Sequence, residues 1–580
     1  MRALLACALC LIPHLARAET LVRRPYLQKQ TSSSIVIAWR TDRPSDSVVE
    51  LGASPSALSR RIVVKDLSVQ HEVSVPELSA GQRTYYAVGS SHGRLAGGDA
   101  EHYVTPAPPA GTRSRLRAWI VGDSGTGDTI QTAVRESMLR YVGSTPPTLL
   151  LHMGDMAYDS GTRQQLTESF FRPYEDLLRH VVTWPTMGNH EGLSSDSDTQ
   201  TGPYYEAYVL PTRAEAGGLP SGTEAYYSFD HGNVHFVVLD SHDSPRTPGG
   251  AMLRWLERDL AMTKQEWLVA FWHHPPYSKG PHDSDTDPRE IDMRTHALPI
   301  LEAAGVDLVL SGHSHIYERS FLIDGAYDTP TRGSHRLRAG DGRPLGTGPY
   351  GKRPGKHAHD GAVYVVAGHG GAMTGRIGTS PVMAFTEAQN GSCILDIEEN
   401  RLELVNVRVD GQLTDRFAMV KGKGLVVAAP GGGEKLVGGQ SFTVRWATVG
   451  EIRRVKLSAT YDGGRSFVSL GAAPNTGRFE WTVPAIESPR ALLRIEDAED
   501  PSVHDSSNDF FAVRVGARDV SVLSAATRAQ PSAVPAPVAL PAVPPAKAGC
   551  RSAPGRRSSE GLFGALVTVG LVTLRRRRAC

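Results

Sequence analysis

The chain has 580 residues, of which 40% are hydrophobic and 21% are charged, and its formal net charge at pH 7 is +1. This composition is that of an ordinary globular protein, and the length predicts two to four domains, because single cores stop growing at about 250–300 residues. The near-neutral charge gives no support for a nucleic-acid partner.

Residues 1–18 have the pattern of a secretory signal peptide. Arg2 precedes an apolar run over residues 3–15, and Ala16-Arg17-Ala18 has the small-residue pattern of a cleavage site. We therefore expect export. The cysteines that remain after cleavage show no paired framework, so core packing and bound metal, rather than disulfides, should stabilise the mature chain.

Residues 19–110 carry short β-type runs with turn signals, such as residues 34–39 (SIVIAW). Residues 78–86 (LSAGQRTYY) resemble the tyrosine corner of a fibronectin type III or immunoglobulin-like sandwich. Residues 106–111 (PAPPAG) predict a stiff linker at the end of this domain. We expect an N-terminal β-sandwich.

From about residue 115 to 420, apolar runs alternate with helical periodicity, which predicts a layered α/β domain. Gly305 predicts the end of a helix, and residues 325–360 predict an inserted loop. Three sets of apolar residues recur at helical spacing: Ile130, Val134, Met138 and Val142; Leu166, Phe170, Tyr174 and Leu178; Leu253, Leu256 and Leu260.

Residues 425–515 return to β character and predict a second, immunoglobulin-like sandwich. Asp462-Gly463-Gly464 predicts a hairpin turn, and residues 460–467 also resemble a single Asp-box, a motif of some sugar-active proteins. A spacer or adhesive role is the prediction for this domain, and glycan binding is a further hypothesis.

The C-terminal segment has two parts. Residues 516–548 are rich in Ala and Pro and predict an extended linker. Residues 549–580 resemble a MYXO-CTERM sorting tail, because they contain Cys550, an apolar run at 561–574 and arginines at 575–578. The resemblance implies processing near Cys550, with or without lipid on that cysteine, and a cell-surface destination. The alternative is a weak membrane anchor, since the run is shorter than the roughly 20 residues of a transmembrane helix.

Five apolar runs of the central region each end in residues that are common metal ligands. Because ligands collect outside the carboxyl ends of strands in open α/β sheets, we expect these side chains to meet, in numbers sufficient for two metal ions. The residues are Asp123; Asp155 with Tyr158; Asn189; His273; and His313 with His315.

The motifs around these residues resemble those of calcineurin-like metallophosphoesterases, and more closely those of purple acid phosphatases. The resemblance covers about residues 20–420 and implies a four-layer α/β fold, a β-sandwich flanked by helices, after an N-terminal fibronectin-type module. The matching motifs are residues 122–125 (GDSG), 154–158 (GDMAY), 188–191 (GNHE), His273 before Pro275, and 312–319 (GHSHIYER).

The resemblance also implies a division of the ligands. It places Asp123, Tyr158 and His315 on one metal, and Asn189, His273 and His313 on the other, with Asp155 bridging both. Phenolate and carboxylate donors suit Fe³⁺, and imidazoles with an amide suit Zn²⁺, Mn²⁺ or Fe²⁺.

The expected reaction is hydrolysis of a phosphomonoester by attack of a metal-bound hydroxide. His190 would donate a proton to the leaving group, and His282 is a candidate substrate contact. His274 should point away from the site, because it follows a ligand on an extended segment. For His369, and for His242 with Asp243, lining the pocket and a structural role both stay open.

The sequence thus predicts an exported or surface-attached enzyme with a small-molecule phosphate ester as its substrate. Two alternatives stay open. One keeps the metals but acts on phosphodiesters or nucleotides, and the other is a surface-binding protein whose phosphatase domain is vestigial. The oligomeric state is not predicted.

Overall fold

The computed structural model describes residues 18–338 and 340–515. The signal peptide, except Ala18, lies outside the described residues, as do the Ala/Pro-rich linker and the sorting tail, so these predictions stay untested. In the described part of the chain, no helix combines the length and the apolar character needed to cross a membrane.

The N-terminal region is made of strands that bend between two groups of neighbours. The first half of β2 pairs with β1 and the end of β3, and its second half pairs with β4 and the start of β3. Register shifts between Arg40 and Ser47 separate the halves, as in strands that turn a corner between packed layers. The strands are β1 Leu21–Gln28, β2 Ile35–Gly52, β3 Arg60–Val75, β4 Thr84–Ser90, β5 Gly93–Gly97 and β6 Tyr103–Val104.

The predicted tyrosine corner is wrong for Tyr86. Its hydroxyl donates to the carbonyl of Arg179 at 2.7 Å, not to backbone a few residues upstream. The side chain therefore ties the N-terminal region to the central one. A second tie is the parallel pairing of Leu27 in β1 with Val182, which places both regions in one 13-stranded sheet.

The central part of this first sheet combines three parallel strands with an antiparallel group. Residues 116–121 (LRAWIV) are buried along their whole length, as expected of a strand covered on both faces. The strands are β7 Leu116–Val121, β8 Leu149–His152, β9 Val182–Pro185, β15 Tyr350–Lys352, β18 Gly391–Glu398, β19 Arg401–Arg408 and β20 Leu413–Lys421.

A second, seven-stranded sheet packs face to face on the first. Trp184 of the first sheet stacks on Phe229 of the second with ring centroids 4.0 Å apart, inside one shared hydrophobic core. Four of its strands (β11, β12, β13 and β16) are parallel neighbours. The strands are β10 Tyr227–His231, β11 Val234–Val238, β12 Trp267–Phe271, β13 Leu308–Ser311, β14 Tyr317–Ser320, β16 Val363–Ala367 and β17 Met383–Glu387.

Helices cover the outer faces, so the expected layered α/β arrangement is confirmed. Helix α1 lies on β18 and β19, and helices α5 and α7 share a second core with the outer face of the second sheet. The helices are α1 Thr129–Val142, α2 Arg163–Gln165, α3 Glu175–Leu178, α4 Pro203–Ala207, α5 Ala251–Met262, α6 Pro288–Asp292 and α7 Leu298–Ala304, with π-helical turns at Leu166–Phe171 and Met293–Ala297 and 3₁₀ turns at Glu191–Leu193 and Gly333–His335.

The helical periodicities hold with two differences. Ile130 is more than one-third exposed, although it was expected on the buried face of α1. The set that begins at Leu166 is buried, but it lies on a π-helical turn followed by the short α3 rather than on one helix. Gly305 ends α7 with φ of 84°, the left-handed conformation that glycine adopts without strain.

The C-terminal region has two sheets around its own core. Strands β21, β23 and β26 form one, and β22, β29, β27, β24 and β25 form the other, with β28 on β27. The predicted hairpin joins β24 to β25, and Asp462 Oδ1 accepts from two backbone N–H groups of its turn. The strands are β21 Gly424–Ala429, β22 Lys435–Gly438, β23 Ser441–Val449, β24 Arg454–Thr460, β25 Val468–Pro474, β26 Arg478–Thr482, β27 Ser488–Asp497, β28 His504–Ser506 and β29 Phe511–Val515.

Buried polar contacts fix this region to the central one. Arg117 of β7 pairs with Asp396 at 2.8 Å and donates to the carbonyl of Asn508 at 3.1 Å. Arg401 of β19 pairs with Asp505 at 2.9 Å. Because breaking a buried pair leaves an uncompensated charge, these contacts hold the two regions in one arrangement.

Candidate metal centre

The candidate ligands lie in loops at the carboxyl ends of strands, and three of them have left-handed backbone. The φ angles are 56° at Asp123, 56° at Asp155 and 65° at His313, a conformation that costs a non-glycine residue of the order of 1–3 kcal/mol. Hydrogen bonds from Asp123 N to the Gly154 carbonyl (3.0 Å) and from His313 N to Asp123 Oδ2 (2.8 Å) offset this cost. Such strain is typical of functional sites.

Two glycines let these loops approach one another. A Cβ on Gly188 would lie 2.1 Å from Asp155 Oδ1, and one on Gly312 would lie 2.5 Å from Asp123 Oδ2. Both distances are too short for any side chain, so the loops meet only because these positions carry none.

Three oxygen and nitrogen ligand atoms converge around the hydroxyl of Tyr158. It lies 3.3 Å from Asp123 Oδ1, 3.2 Å from Asp155 Oδ2 and 3.3 Å from His315 Nε2. The same His315 nitrogen is 3.6 Å from Asp123 Oδ1. The structure therefore brings together the group predicted for the first metal.

The second predicted group gathers around His273. Its Nε2 lies 2.9 Å from Asn189 Oδ1 and 3.3 Å from Asp155 Oδ2, and its Nδ1 donates to the carbonyl of Met153 at 2.7 Å. The His313 ring is 5.0 Å from the His273 ring. Asp155 Oδ2 thus touches both groups, at 3.2 Å and 3.3 Å, which is the placement that a bridging carboxylate requires.

The electrostatics of the cluster are those of a cation site. Burial and the charge of Asp155 raise the pKa of Asp123 well above its ordinary value. Burial alone would raise the pKa of Asp155 too, but His273 and His190 lower it. Burial lowers the pKa of His313 well below its usual range and that of His315 to about 4, so both rings are neutral.

The residues present fit metal ions. Ligand atoms of Asp123, Asp155 and His273 lie within 4.8 Å of one another, and so do those of His273, His274 and His313. Two buried carboxylates side by side are unfavourable unless positive charge lies between them, and the neutral imidazoles of His313 and His315 have free lone pairs. Hard oxygen donors on one side and imidazoles on the other match two different ions.

Glu191 has a role in the site that its sequence motif does not indicate. Its carboxylate is fully buried and accepts from four backbone N–H groups, which belong to Asp155, Met156, Ala157 and Gly188 at 2.8–3.0 Å. Burial and the charge of Asp155 raise its pKa to about 7, but a proton on either oxygen would face an N–H donor. Glu191 therefore clamps together the loops that carry Asp155 and Asn189.

The two predicted catalytic histidines lie at the edge of the cluster. His190 Nδ1 donates to the carbonyl of Asp159 at 2.5 Å, which leaves Nε2 facing the site, 3.9 Å from Asp155 Oδ2. The half-buried His282 ring stacks on His313 with centroids 3.8 Å apart. Both positions are open to a substrate that reaches the candidate ligands.

The expectation that His274 points away from the site is wrong. Ser241 holds its Nδ1 at 2.8 Å, and its ring lies 4.4 Å from that of His313. His242 stands behind it, with rings 6.0 Å apart, and Asp243 Oδ2 accepts from the backbone of Ser197 at 3.2 Å. His242 thus lies behind the cluster, and Asp243 Oδ1 is 3.6 Å from His242 Nε2.

The structure gives His369 a structural role. It is fully buried, and its Nε2 lies 2.9 Å from Asn406 Oδ1. Its glycine turn packs on the Asp123 loop, where Gly370 N donates to the carbonyl of Gly122 at 3.0 Å. The turn therefore positions Asp123, and His369 does not line the pocket.

Comparison with known proteins agrees with this geometry. Residues 116–317 match the family model of the calcineurin-like phosphoesterases. The chain is 28% identical over 322 residues to purple acid phosphatase 18 of Arabidopsis thaliana, covering 53% of this chain and 68% of that protein. It is 24% identical over 341 residues to an uncharacterized protein of Mycobacterium tuberculosis, covering 52% and 63%.

A solved purple acid phosphatase from yellow lupin seeds has the same fold, with a TM-score of 0.52 and 18% identity, over 68% of this chain and 74% of that one. The chain spans about half to two thirds of the length of the curated relatives it matches. The chain therefore contains a calcineurin-like phosphoesterase domain, and its relatives support a hydrolase that acts on phosphoric esters.

Proposed function

We propose that this chain is an exported bimetallic phosphoesterase of purple acid phosphatase type that hydrolyses phosphomonoesters. The observation that carries the proposal is the position of Asp155, whose Oδ2 lies between Tyr158 Oη at 3.2 Å and His273 Nε2 at 3.3 Å. A carboxylate shared by two distinct donor groups is what a metal pair requires.

The first group, with Tyr158 as its phenol, would hold Fe³⁺, and the His273 group would hold Zn²⁺, Mn²⁺ or Fe²⁺. When bound, two such ions supply positive charge for the phosphoryl oxygens and activate a water molecule as the nucleophile. Burial raises the pKa of Tyr158 well above its ordinary value, so its phenolate forms only beside a strongly charged cation.

The chain's own residues position the ester and handle its protons. Because the Asp159 carbonyl can only accept, Nδ1 of His190 keeps its proton, and Nε2 is the atom that can give a second proton to the leaving alkoxide. His282 faces the same space and can donate to a non-bridging oxygen of the phosphate. A phosphomonoester has more non-bridging oxygens and more negative charge than a diester, so it gains more from the positive charge of the two ions and from His282.

The flanking regions have the organisation of accessory domains. We assign residues 19–110 to a fibronectin type III sandwich, supported by the way β2 and β3 change neighbours, and residues 425–515 to an immunoglobulin-like sandwich, supported by its two sheets around one core. A buried free thiol at Cys393 is compatible with an exported enzyme that does not rely on disulfides. The C-terminal tail would attach the enzyme to the cell surface.

The test is hydrolysis of p-nitrophenyl phosphate and of its bis-ester by the full chain and by two variants. Asp155→Ala removes the shared carboxylate, and Asp66→Ala removes an exposed aspartate in β3 as the matched control. We expect turnover of the monoester above that of the diester, lost in Asp155→Ala and kept in Asp66→Ala. Preference for the diester would assign a phosphodiesterase, and turnover that survives Asp155→Ala would overturn the proposed site.

A further inference from the structure

A cavity of about 350 Å³ lies between β1 and the turn Leu166–Phe171, apart from the candidate metal centre. None of its lining residues is a candidate metal ligand. Three arginines line it, namely Arg23, Arg24 and Arg172, together with a single carboxylate, Glu175. Three positive groups against one negative group leave the lining with an excess of two positive charges.

Arg23 is the unusual member of this set. It is 3% exposed, and no carboxylate pairs with it among the described residues. Its Nη2 donates to Thr167 Oγ1 at 3.0 Å, and its guanidinium lies 3.8 Å from the ring centroid of Phe171. Its Nε has no hydrogen-bond partner in the described structure.

A buried guanidinium in this state lacks a negatively charged partner. Arginine stays charged at any physiological pH, so Arg23 cannot relieve the cost of burial by losing its proton. A neutral hydroxyl and an aromatic face fix its orientation but do not neutralise it. An anion bound in the cavity would neutralise the charge of Arg23.

The neighbouring arginines extend the positive field. Arg24 Nε lies 3.3 Å from Glu175 Oε2, so that carboxylate is already engaged, and Arg172 is exposed at the mouth. Burial, and then the charges of Arg163 and Arg23, lower the pKa of Arg40. Glu206 acts on the pKa of Arg40 in the opposite direction, so the excess of positive charge is that of the cavity lining.

We infer that this cavity is an accessory site for a phosphate-type oxyanion, bound by Arg23 from within and by Arg172 from the mouth. Guanidinium groups match the oxygens of phosphate through charge-assisted N–H donors, and more than one can engage one anion. The assignment does not rest on the proposed catalytic function, because it uses none of the metal-site residues.

The test is equilibrium dialysis of radiolabelled inorganic phosphate against the full chain that carries Asp155→Ala, which removes the shared carboxylate of the metal centre. We expect saturable binding of one phosphate per chain. Adding Arg172→Ala, an exposed and therefore structurally mild change, should weaken this binding by about tenfold, corresponding to 1.4 kcal/mol. Adding Arg140→Ala, an exposed arginine of α1, is the matched control and should leave the binding unchanged.

Absence of saturable binding in the Asp155→Ala chain would overturn the inference, and so would equal weakening by Arg172→Ala and Arg140→Ala. Sulfate should compete with phosphate, because it presents the same tetrahedral oxygens, and failure to compete would also count against the site. The dialysis assay measures binding and not hydrolysis. A negative dialysis result therefore counts against the accessory site alone, and a negative ester assay counts against the proposed catalytic function alone.

Discussion

Replacing Glu191 by Gln should damage the metal centre, although Glu191 is not itself a candidate ligand. The buried carboxylate accepts four backbone N–H groups, two on each oxygen. An amide keeps one accepting oxygen and turns an NH₂ group toward the other pair of donors. Glu191→Gln therefore leaves two buried N–H groups without an acceptor.

The cost follows from those two donors. Each buried donor left unsatisfied costs about 1–3 kcal/mol, so the substitution should cost about 2–6 kcal/mol. Because the clamped groups belong to the loops of Asp155 and Asn189, the loops should separate before the whole domain unfolds. Loss of bound metal is the expected first consequence.

The assay compares bound metal and urea unfolding of Glu191→Gln with those of Glu290→Gln. Glu290 is also fully buried, but neither of its oxygens has a hydrogen-bond partner in the described structure, and burial raises its pKa well above the ordinary value. Its amide variant should therefore keep metal content and stability. If the two variants behave alike, Glu191 does not clamp the two loops together.

Three other outcomes are expected. His190→Ala should lower kcat for an alkyl phosphate by about 10²–10⁴. The loss should be smaller for p-nitrophenyl phosphate, because its nitrophenolate leaves without needing a proton. Equal losses on both esters would contradict proton donation by His190. His235 lies between Asp230 and Asp259 at 2.7 and 2.8 Å, and these carboxylates raise its pKa to about 9 despite burial. The charged ring should therefore add up to about 3 kcal/mol to the free energy of unfolding. This contribution is complete below about pH 6.5 and is lost as the pH rises through 9. In unfolding experiments His235→Gln should remove this pH dependence, and an unchanged slope would count against it. Gly188→Ala should abolish metal binding, because its Cβ would lie 2.1 Å from Asp155 Oδ1, and a fully loaded variant would show that the loops can separate.

The strands and the candidate ligands were predictable because their signals are local. An apolar run such as residues 116–121 shows strand length and burial in its composition, and the polar residue that follows it must lie at the sheet edge. The end of α7 at Gly305 was predictable because glycine adopts the left-handed conformation of a helix end without strain. These features depend on a few neighbouring residues, which the sequence displays directly.

The features that were missed depend on contacts between distant segments. Tyr86 bonds to Arg179, 93 residues away, and nothing near Tyr86 indicates that partner. His274 was expected on the opposite face of an extended segment, but Ser241 holds its ring against the cluster. Glu191 is the last residue of a recognisable motif, yet its role depends mainly on backbone donors of a different loop. Only packing reveals such partners.

The most direct test of the bimetallic centre is elemental analysis of the purified full chain together with its visible spectrum. We expect two metal ions per chain, one of them iron, and a visible absorption band that Tyr158→Phe removes while the ions stay bound. A folded chain that takes up fewer than two ions when metal is supplied, or a band that persists without the Tyr158 hydroxyl, would contradict it.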